Sequence, residues 1–308
     1  MKIFVTGATG FIGSAIVKEL NAAGYQVLGM ARSEEGAKSL IAAGAQVHRG
    51  DVEDLDSLRS GAAASDGVIH TAFIHDFSKF KEVCEIDRRA IEALGSTLAG
   101  SDRPLLVTSG TGVVASAPGR PATEEDEPVS GPNSVPRVAS EEAAASAASK
   151  GARVSVVRLP QVHNTFKQGL ITYAIAMARE KGVSAYVGDG SNRWPAVHLL
   201  DAARLYRLVL EKGSSGAKYH AVAEEGVPVR DIAEVIGRHL NVPVVSKSPE
   251  EAREHFGWLG VFVGLDCPAS SAQTQQRLGW HPVQTSLLDD LEHGSYPAAP
   301  SRSLEKTA

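Results

Sequence analysis

The sequence predicts an α/β protein in which a doubly wound parallel sheet is followed by a smaller C-terminal domain. The first observation is alternation: short apolar segments and helical segments follow one another through residues 1–160, at the spacing of βαβ units. The second is the position of Gly7, Gly10 and Gly13, which stand directly between the first apolar segment and the first helix. That arrangement is the phosphate-binding fingerprint of a Rossmann fold.

The individual elements follow from their composition. Near-continuous apolar runs predict strands covered on both faces, and amphipathic runs that begin near Ser, Asp or Glu predict helices. The predicted strands are 2–6, 25–31, 46–50, 66–72, 104–110 and 153–160, and the predicted helices are 11–23, 33–43, 51–62, 80–100 and 138–150. Residues 115–135 predict a long polar loop rich in Pro and Gly, of a length that is usually functional or mobile.

Regular alternation weakens after residue 160, which predicts two domains. Residues 1–160 form the predicted dinucleotide-binding domain, to which 201–222 return as a helix and a strand. Residues 161–200 and 223–295 form the predicted substrate domain. The tail 296–308 is expected to be disordered.

Composition argues against several classes of function. The formal net charge is −5 with both signs scattered along the chain, so we do not expect nucleic acid as a partner. No apolar run approaches a membrane span and the N-terminal one is too short for a signal peptide, so the expected location is the cytoplasm, without a membrane partner. Cys84 and Cys267 lie far apart and outside any Cys/His cluster, so we expect neither a disulfide framework nor a metal site.

The glycine loop predicts a dinucleotide, and the end of the second strand predicts which one. Glycine permits the tight turn and the close approach of backbone to a pyrophosphate, which rests on the N–H groups at the helix start. After the second strand the chain has Arg32 and Ser33, where an acidic residue would bind a ribose 2′-hydroxyl. A guanidinium fork and a hydroxyl suit phosphate oxygens, so we predict NADP(H); an exposed loop arginine is the alternative. Asp51 and Val52 are expected to contact the adenine.

Six short segments carry a resemblance to a known superfamily; in chain order they read TGATGFIG, GDVED, DGVIHTA, LLVTSG, RVSVVRLP and WPAVHLLDAA. In them the chain resembles the extended and atypical short-chain dehydrogenase/reductases, the NAD(P)-dependent epimerase/dehydratase-like proteins, from residue 1 to about 290. The resemblance implies a seven-stranded Rossmann sheet, a small C-terminal substrate domain and a site in the cleft between them. It also implies cofactor contacts at Thr9, Phe11, Ile12, Thr71, Ala72, Pro160 and Val162.

The chain departs from that superfamily at its catalytic positions. Members usually carry a Ser or Thr after the fifth strand and a Tyr-x-x-x-Lys on the next long helix. The Tyr exchanges the substrate proton, and the Lys lowers its pKa and holds the nicotinamide ribose. Here Gly110 stands at the serine position, Arg137 at the tyrosine position and Glu141 at the lysine position. No tyrosine lies between Tyr25 and Tyr173.

Arg137 and Glu141 are open to two interpretations. Their i, i+4 spacing allows a surface salt bridge between them. Alternatively, Arg137 donates to a substrate carbonyl or carboxylate, being far too basic to give up a proton. In that case Glu141 accepts from ribose hydroxyls.

Other polar side chains are candidates for the chemistry. Ser109 and Thr111 offer the nearest hydroxyls for a carbonyl oxygen, although Thr111 suits the closing of a turn equally well. His163 titrates near neutrality and can relay a proton, with a structural histidine as the alternative. His198 and Asp201 are interpreted as a structural pair. Candidate pocket residues are His75, Asp76, Trp194, Phe256 and Trp258.

Three functions are compatible with these residues. We favour NADPH-dependent reduction of a small ketone or aldehyde by hydride transfer, because the cofactor supplies the hydride and the protein positions and polarises. The alternative is a non-catalytic NADP(H)-sensing protein, and a sugar-nucleotide epimerase or dehydratase is disfavoured because it also needs the missing Tyr and Lys. We expect a homodimer through helices 80–99 and 138–150, because small residues on the second helix let another helix approach closely. These residues are Ala139, Ala143, Ala144, Ala147 and Ala148. Burial of the same residues within one chain is the alternative.

Overall fold

A seven-stranded parallel sheet forms the centre of the molecule. The computed structural model describes residues 1–114, 119–129 and 135–296. The strand order is β10-β6-β5-β4-β1-β2-β3, and every neighbouring pair is parallel. The strands are β1 (Lys2–Thr6), β2 (Gln26–Ala31), β3 (Gln46–Arg49), β4 (Gly67–His70), β5 (Pro104–Gly110), β6 (Arg153–Leu159) and β10 (Lys218–His220). The predicted Rossmann-type α/β fold is confirmed.

Helices cover both faces of this sheet, as the apolar strands require. On one face lie α1 (Phe11–Ala22), α2 (Glu34–Ala42) and α7 (Leu199–Lys212). On the other lie α3 (Leu55–Ala63), α4 (Phe80–Leu98) and α5 (Val138–Ser149). The strand order reverses between β1 and β4, and ligands of such sheets bind at the carboxyl ends of the strands beside this switch point.

Most of the remaining elements share a second hydrophobic core. Two small sheets belong to this C-terminal lobe, with strand orders β11-β9-β7 and β12-β8. Their strands are β7 (Gln161–His163), β8 (Ser184–Val187), β9 (Arg193–His198), β11 (Glu224–Pro228) and β12 (Val244–Lys247). The helices beyond the seven-stranded sheet are α6 (Ile171–Lys181), α8 (Val229–Leu240), α9 (Pro249–Phe256), α10 (Gly260–Val263), α11 (Ala272–Leu278) and α12 (Leu287–Glu292). The exact domain boundaries stay a prediction.

Two of the predicted irregular segments lie partly outside the described residues. Of the loop 115–135, residues 119–129 and 135 are described, and Glu124 is buried there with one carboxylate oxygen accepting from the backbone N–H and hydroxyl of Thr274. Of the tail 296–308, only Tyr296 is described. The described part of the loop is therefore fixed to α11.

The small residues of α5 are used within the chain. Ala143, Ala144 and Ala147 are buried against α4 in the same core cluster. The approach is so close that a Cβ added to Gly95 would lie 2.5 Å from the Cβ of Ala147. The alanine pattern is therefore explained by the α4–α5 contact and gives no support to a dimer, which stays a prediction.

Candidate active site

The loop between β1 and α1 forms a cradle that only glycine can build. Gly7 has φ +66°, and a Cβ there would lie 2.7 Å from the backbone nitrogen of Ala72. A Cβ on Gly13 would lie 2.0 Å from the carbonyl oxygen of Gly7. Gly10 caps α1 without a side chain, so no side chain occupies the N–H groups of the first turn. Those N–H groups and the helix dipole together suit an anion.

The cradle lies at the switch point, where the ends of β1 and β4 meet. The Thr71 hydroxyl donates to the Thr6 carbonyl oxygen over 2.8 Å, which ties the two strand ends together. Thr9 is exposed in the loop, and Phe11 and Ile12 are half-buried at the start of α1. These residues fit the pyrophosphate of a dinucleotide. Val162, by contrast, is buried in the core, and Pro160 is the half-buried break between β6 and β7.

Arg32 lies beyond the end of β2 with half of its side chain exposed. Its guanidinium is 3.5 Å from the carboxylate of Asp51, which follows β3. Ser33 caps α2, its hydroxyl oxygen accepting from the backbone N–H of Gly36 over 3.1 Å. Arg32 and Ser33, which are predicted to bind a 2′-phosphate, thus lie together at one edge of the sheet. The Asp51 carboxylate lies beside Arg32, and Val52 is buried.

A chain of buried polar groups runs from the cradle to α5. The Thr6 hydroxyl is 2.7 Å from Nδ1 of His70, and Nε2 of His70 is 3.0 Å from the carboxylate of Asp87. The other carboxylate oxygen of Asp87 accepts from Arg137 and from the Ser140 hydroxyl, both over 2.6 Å. Burial would raise the pKa of Asp87, but the Arg137 charge and the hydrogen bonds from His70 and Ser140 lower it to about 2.

Arg137 is held from four directions. Besides Asp87 and Ser140, its guanidinium donates to the Thr108 carbonyl oxygen over 2.8 Å and lies 4.1 Å above the ring centroid of Phe73. The guanidinium therefore sits at the carboxyl end of β5 in a fixed orientation, with 15% of the side chain exposed. The predicted Arg137–Glu141 salt bridge is wrong, because Arg137 pairs with Asp87 instead.

Glu141 is turned away from the cofactor cradle into a second buried ion pair. Its two carboxylate oxygens accept from the guanidinium of Arg158, each over 2.8 Å, and the Arg158 side chain is fully buried. Arg158 also contacts the ring of His220 at 3.2 Å, and burial lowers the pKa of His220 to about 4. Both oxygens of Glu141 are thus engaged inside the protein, and its predicted contact with ribose hydroxyls is not supported.

The two hydroxyls predicted to hold a carbonyl oxygen follow the same strand. Ser109 is buried near the end of β5, and its Oγ has no hydrogen-bond partner among the described residues. Thr111 is buried at the start of a single 3-10 turn over Thr111–Val113. The Ser109 hydroxyl is thus enclosed as well as unpaired, and it follows the Thr108 carbonyl that binds Arg137.

His163 lies inside the C-terminal lobe and does not open to the cleft. Its side chain is fully buried, and Nδ1 is 2.6 Å from the carboxylate of Asp290. Burial lowers the pKa of His163, although the Asp290 contact opposes the shift. The enclosed ring does not support the predicted proton relay through His163, which stays a prediction. The structural interpretation of the neighbouring pair is supported: His198 caps α7, and Asp201 accepts from two backbone N–H groups.

An aromatic cluster spans the gap between the β4–α4 loop and the C-terminal lobe. Phe77 and Trp258 stack with centroids 4.5 Å apart and an interplanar angle of 4°. Tyr173 meets Trp258 edge-on at 5.1 Å. Sequence reasoning proposed Trp258 alone among these rings, because the loop and the lobe are far apart in the chain. Of the other residues predicted to line the pocket, Trp194 and Phe256 are buried in the core of the C-terminal lobe.

His75 and Lys167 are exposed side chains on loops near the cradle. The His75 ring lies 5.5 Å from Phe73, and partial desolvation together with the positive charges of Lys167 and Arg137 lowers its pKa. The ammonium of Lys167 lies 5.5 Å above the ring of Phe11 at the start of α1. Sequence reasoning missed Lys167, since nothing in the segment NTFKQG marks it. Asp76 caps the short turn after His75.

The described residues contain neither a candidate metal cluster nor a helix suited to cross a membrane. No group of three or more His, Cys, Asp and Glu side chains there is placed to hold a metal ion. Within the same residues, no helix combines the length and the apolar character that crossing a bilayer needs.

The fold and the cradle define a Rossmann protein of the dinucleotide-binding class, and comparison with known proteins gives the family. The sequence model of the NAD dependent epimerase/dehydratase family matches residues 3–223. The chain belongs to that family.

Similar proteins differ in what is known of them. The uncharacterized protein C2A9.02 of Schizosaccharomyces pombe is 51% identical, over 96% of this chain and all of that protein. The 2-alkyl-3-oxoalkanoate reductase of Stenotrophomonas maltophilia is 26% identical over 80% of this chain and 78% of its own length, and other distant relatives have epimerase names. Among solved structures, the dTDP-glucose 4,6-dehydratase DesIV of Streptomyces venezuelae, with NAD bound, superposes with TM-score 0.76 at 21% identity, over 95% of each chain.

Proposed function

We propose that this protein is an NADPH-dependent oxidoreductase that reduces a small ketone or aldehyde without a tyrosine acid. The observation that carries the proposal is the placement of Arg137. Asp87, Ser140 and the Thr108 carbonyl fix its guanidinium at the carboxyl end of β5, where the family resemblance expects the proton-donating tyrosine. Since such a cation stabilises negative charge that develops on a carbonyl oxygen, the site can favour reduction without a tyrosine.

The chain's own residues have distinct roles in this proposal. Bound NADPH would supply the hydride, held by the glycine cradle and by Arg32. Arg137 would polarise the carbonyl oxygen, because a guanidinium donates hydrogen bonds but does not release a proton at neutral pH. Ser109 stays a predicted second donor, although its hydroxyl is enclosed in this structure. Water would deliver the proton, since His163 is enclosed in the lobe.

NADP(H) rather than NAD(H) is part of the proposal. Arg32 supports it as a half-exposed guanidinium after β2, where a 2′-phosphate would lie. Asp51 lies 3.5 Å from the Arg32 guanidinium.

A non-catalytic NADP(H)-sensing protein is the second candidate, and one observation favours it. Glu141 is bound to Arg158 by both oxygens, so the position of the family lysine offers nothing to hold the nicotinamide ribose. Turnover separates the two candidates: an enzyme oxidises NADPH with a carbonyl compound, whereas a sensor only binds it.

The experiment is a panel of aldehydes and ketones in which NADPH consumption is followed by absorbance. Arg137→Lys keeps the positive charge beside Asp87 but loses the planar fork, so kcat should fall roughly tenfold or more. Arg88→Lys is the matched control, because Arg88 forms its ion pairs with Glu85 and Glu142 on the exposed side of α4. Equal kcat values for Arg137→Lys and the parent would remove Arg137 from the mechanism, and no turnover on any carbonyl would favour the sensor.

A further inference from the structure

A buried histidine stands between the dinucleotide cradle and Arg137. His70 is the last residue of β4, and its side chain is 1% exposed. Its Nδ1 lies 2.7 Å from the hydroxyl of Thr6 at the end of β1, and its Nε2 lies 3.0 Å from the carboxylate of Asp87 on α4. Both ring nitrogens are thus engaged inside the protein, so any influence of His70 on the site passes through Thr6 and Asp87.

The hydrogen bonds around His70 define which ring nitrogen carries the proton. An ionised carboxylate only accepts, so Nε2 donates to Asp87. Nδ1 then accepts from the Thr6 hydroxyl, whose oxygen accepts from the backbone N–H of Ala72 over 3.3 Å. If Nδ1 donated instead, the Thr6 hydroxyl proton would have no other acceptor among the described residues. The polar chain therefore has one direction, from Ala72 through Thr6 and His70 to Asp87.

The contact with His70 determines how the Asp87 carboxylate is oriented. One carboxylate oxygen accepts from His70, and the other accepts from Arg137 and from the Ser140 hydroxyl, both over 2.6 Å. The terminal torsion of an aspartate has only broad preferences, so hydrogen bonds at both oxygens are needed to fix the carboxylate plane. His70 therefore completes the support that directs the second oxygen at Arg137.

The opposite end of the polar chain reaches the cradle. A Cβ on Gly7 would lie 2.7 Å from the backbone nitrogen of Ala72, so this peptide packs directly against the glycine loop. The cradle and the Arg137 guanidinium are thus attached to one continuous set of buried hydrogen bonds. A buried network in which each member is satisfied is rigid, and such support keeps the groups of a site in register with one another.

We propose that His70 is a positioning residue: by fixing the Asp87 carboxylate, it holds the Arg137 guanidinium in the orientation that polarises the substrate carbonyl. This inference rests on the proposed function. His70 exchanges no proton with the substrate, because both of its ring nitrogens are engaged within the protein. Its loss should therefore lower the rate of reduction and leave the affinities for cofactor and substrate close to those of the parent.

The first arm of the test divides the two contacts of His70 between two substitutions. His70→Asn keeps an oxygen near the Nδ1 position for Thr6 but loses the donor to Asp87, whereas His70→Gln can place an amide N–H at the Nε2 position. With the best carbonyl substrate of the panel, His70→Asn should lower kcat roughly tenfold and leave KM and the Kd of NADPH within about twofold. His70→Gln should restore most of the lost kcat.

His220→Asn is the matched control for a role in stability alone. His220 is also a fully buried histidine at the end of a strand, but its ring contacts Arg158 and the Ser270 carbonyl oxygen. Both Asn variants should unfold at lower urea than the parent, and only His70→Asn should lower kcat. An unchanged kcat in His70→Asn, or an equal fall in His220→Asn, would overturn the inference. Thr6→Val, which replaces the hydroxyl by a methyl group, should lower kcat in the same way and serves if His70→Asn does not fold.

The second arm observes Arg137 without turnover. In protein that contains ¹⁵N-labelled arginine and is saturated with NADP⁺, a guanidinium held by several partners rotates slowly and gives separate signals for its two Nη groups. The Arg137 signals are assigned by their absence in Arg137→Lys. Separate signals in the parent and His70→Gln that merge in His70→Asn support the inference, even if no carbonyl is reduced and the proposed function fails. Merged signals in the parent, or separate signals retained in His70→Asn, would overturn the inference and leave the proposed reduction standing.

Discussion

Replacing Asp87 by Asn should destabilise the protein and loosen Arg137. Asp87 is 2% exposed and Arg137 is 15% exposed. A carboxyl whose pKa falls from its ordinary value of 3.8 to about 2 on folding stabilises the folded protein by about 2 kcal/mol at neutral pH. Breaking a buried pair costs about 3–5 kcal/mol in total, a range that already includes this stabilisation by Arg137. Because Arg137 keeps some contact with water, we expect about 3 kcal/mol.

The assay is urea unfolding at pH 7, with Glu142→Gln as the matched control. Glu142 faces Arg88 across the same two helices but is 58% exposed, so its removal should cost less than about 1 kcal/mol. The double variant Asp87→Asn/Arg137→Met leaves no unpaired charge in the interior, so it should recover part of the lost free energy of unfolding. If Asp87→Asn stays within 1 kcal/mol of the parent, the buried pair does not have the role described.

The sign of the pH dependence follows from the lowered pKa of Asp87. The stabilisation from this carboxylate is complete above about pH 4 and is lost as the pH falls from there through about 2. In Asp87→Asn the free energy of unfolding should therefore fall less steeply than in the parent as the pH is lowered below about 4. An unchanged acid limb would show that Asp87 does not titrate as described.

Three further substitutions test the cofactor site and the cleft. Arg32→Ala should raise the Kd of NADPH by roughly tenfold or more and leave that of NADH unchanged, which binding titrations check against Arg59→Ala as the control; equal effects on both cofactors would refute the 2′-phosphate contact. Gly13→Ala places a methyl group 2.0 Å from the Gly7 carbonyl oxygen and should abolish dinucleotide binding, whereas Gly264→Ala, whose added methyl group meets only Val187 at 3.9 Å, should retain it. Trp258→Ala removes the stack on Phe77 and should raise KM for a carbonyl substrate roughly two- to tenfold with the Kd of NADPH unchanged; an unchanged KM would exclude the stack from substrate binding.

The sequence predicted the features that depend on local pattern. Strands β1 to β6 and the cradle at Gly7 were predictable because apolar periodicity and glycine spacing act over a few residues. The buried ion pairs were not predictable in this way. The spacing of Arg137 and Glu141 suggested an i, i+4 pair, but Arg137 pairs with Asp87 on α4 and Glu141 pairs with Arg158 on β6. A helical spacing shows which side chains share a face, but it does not show what packs against that face.

The cleft was harder to predict for the same reason. His163 had the right residue type after β6, but Asp290, distant in the chain, buries it in the C-terminal lobe. Phe77 and Trp258 meet only once the lobe has folded over the β4–α4 loop. Lys167 carries no local signal at all, and only the fold places its ammonium over the ring of Phe11.

The most direct test of the central claim is the fate of the hydride. The protein is incubated with the carbonyl panel and NADPH deuterated at C4, prepared separately on each face, and the products are analysed by mass spectrometry. If the protein is the proposed reductase, one deuterated face yields an alcohol with a single deuterium on the former carbonyl carbon, and the other face yields none. Tight NADPH binding with no deuterium in any product from either face would contradict the claim and leave a protein that binds the dinucleotide without using it.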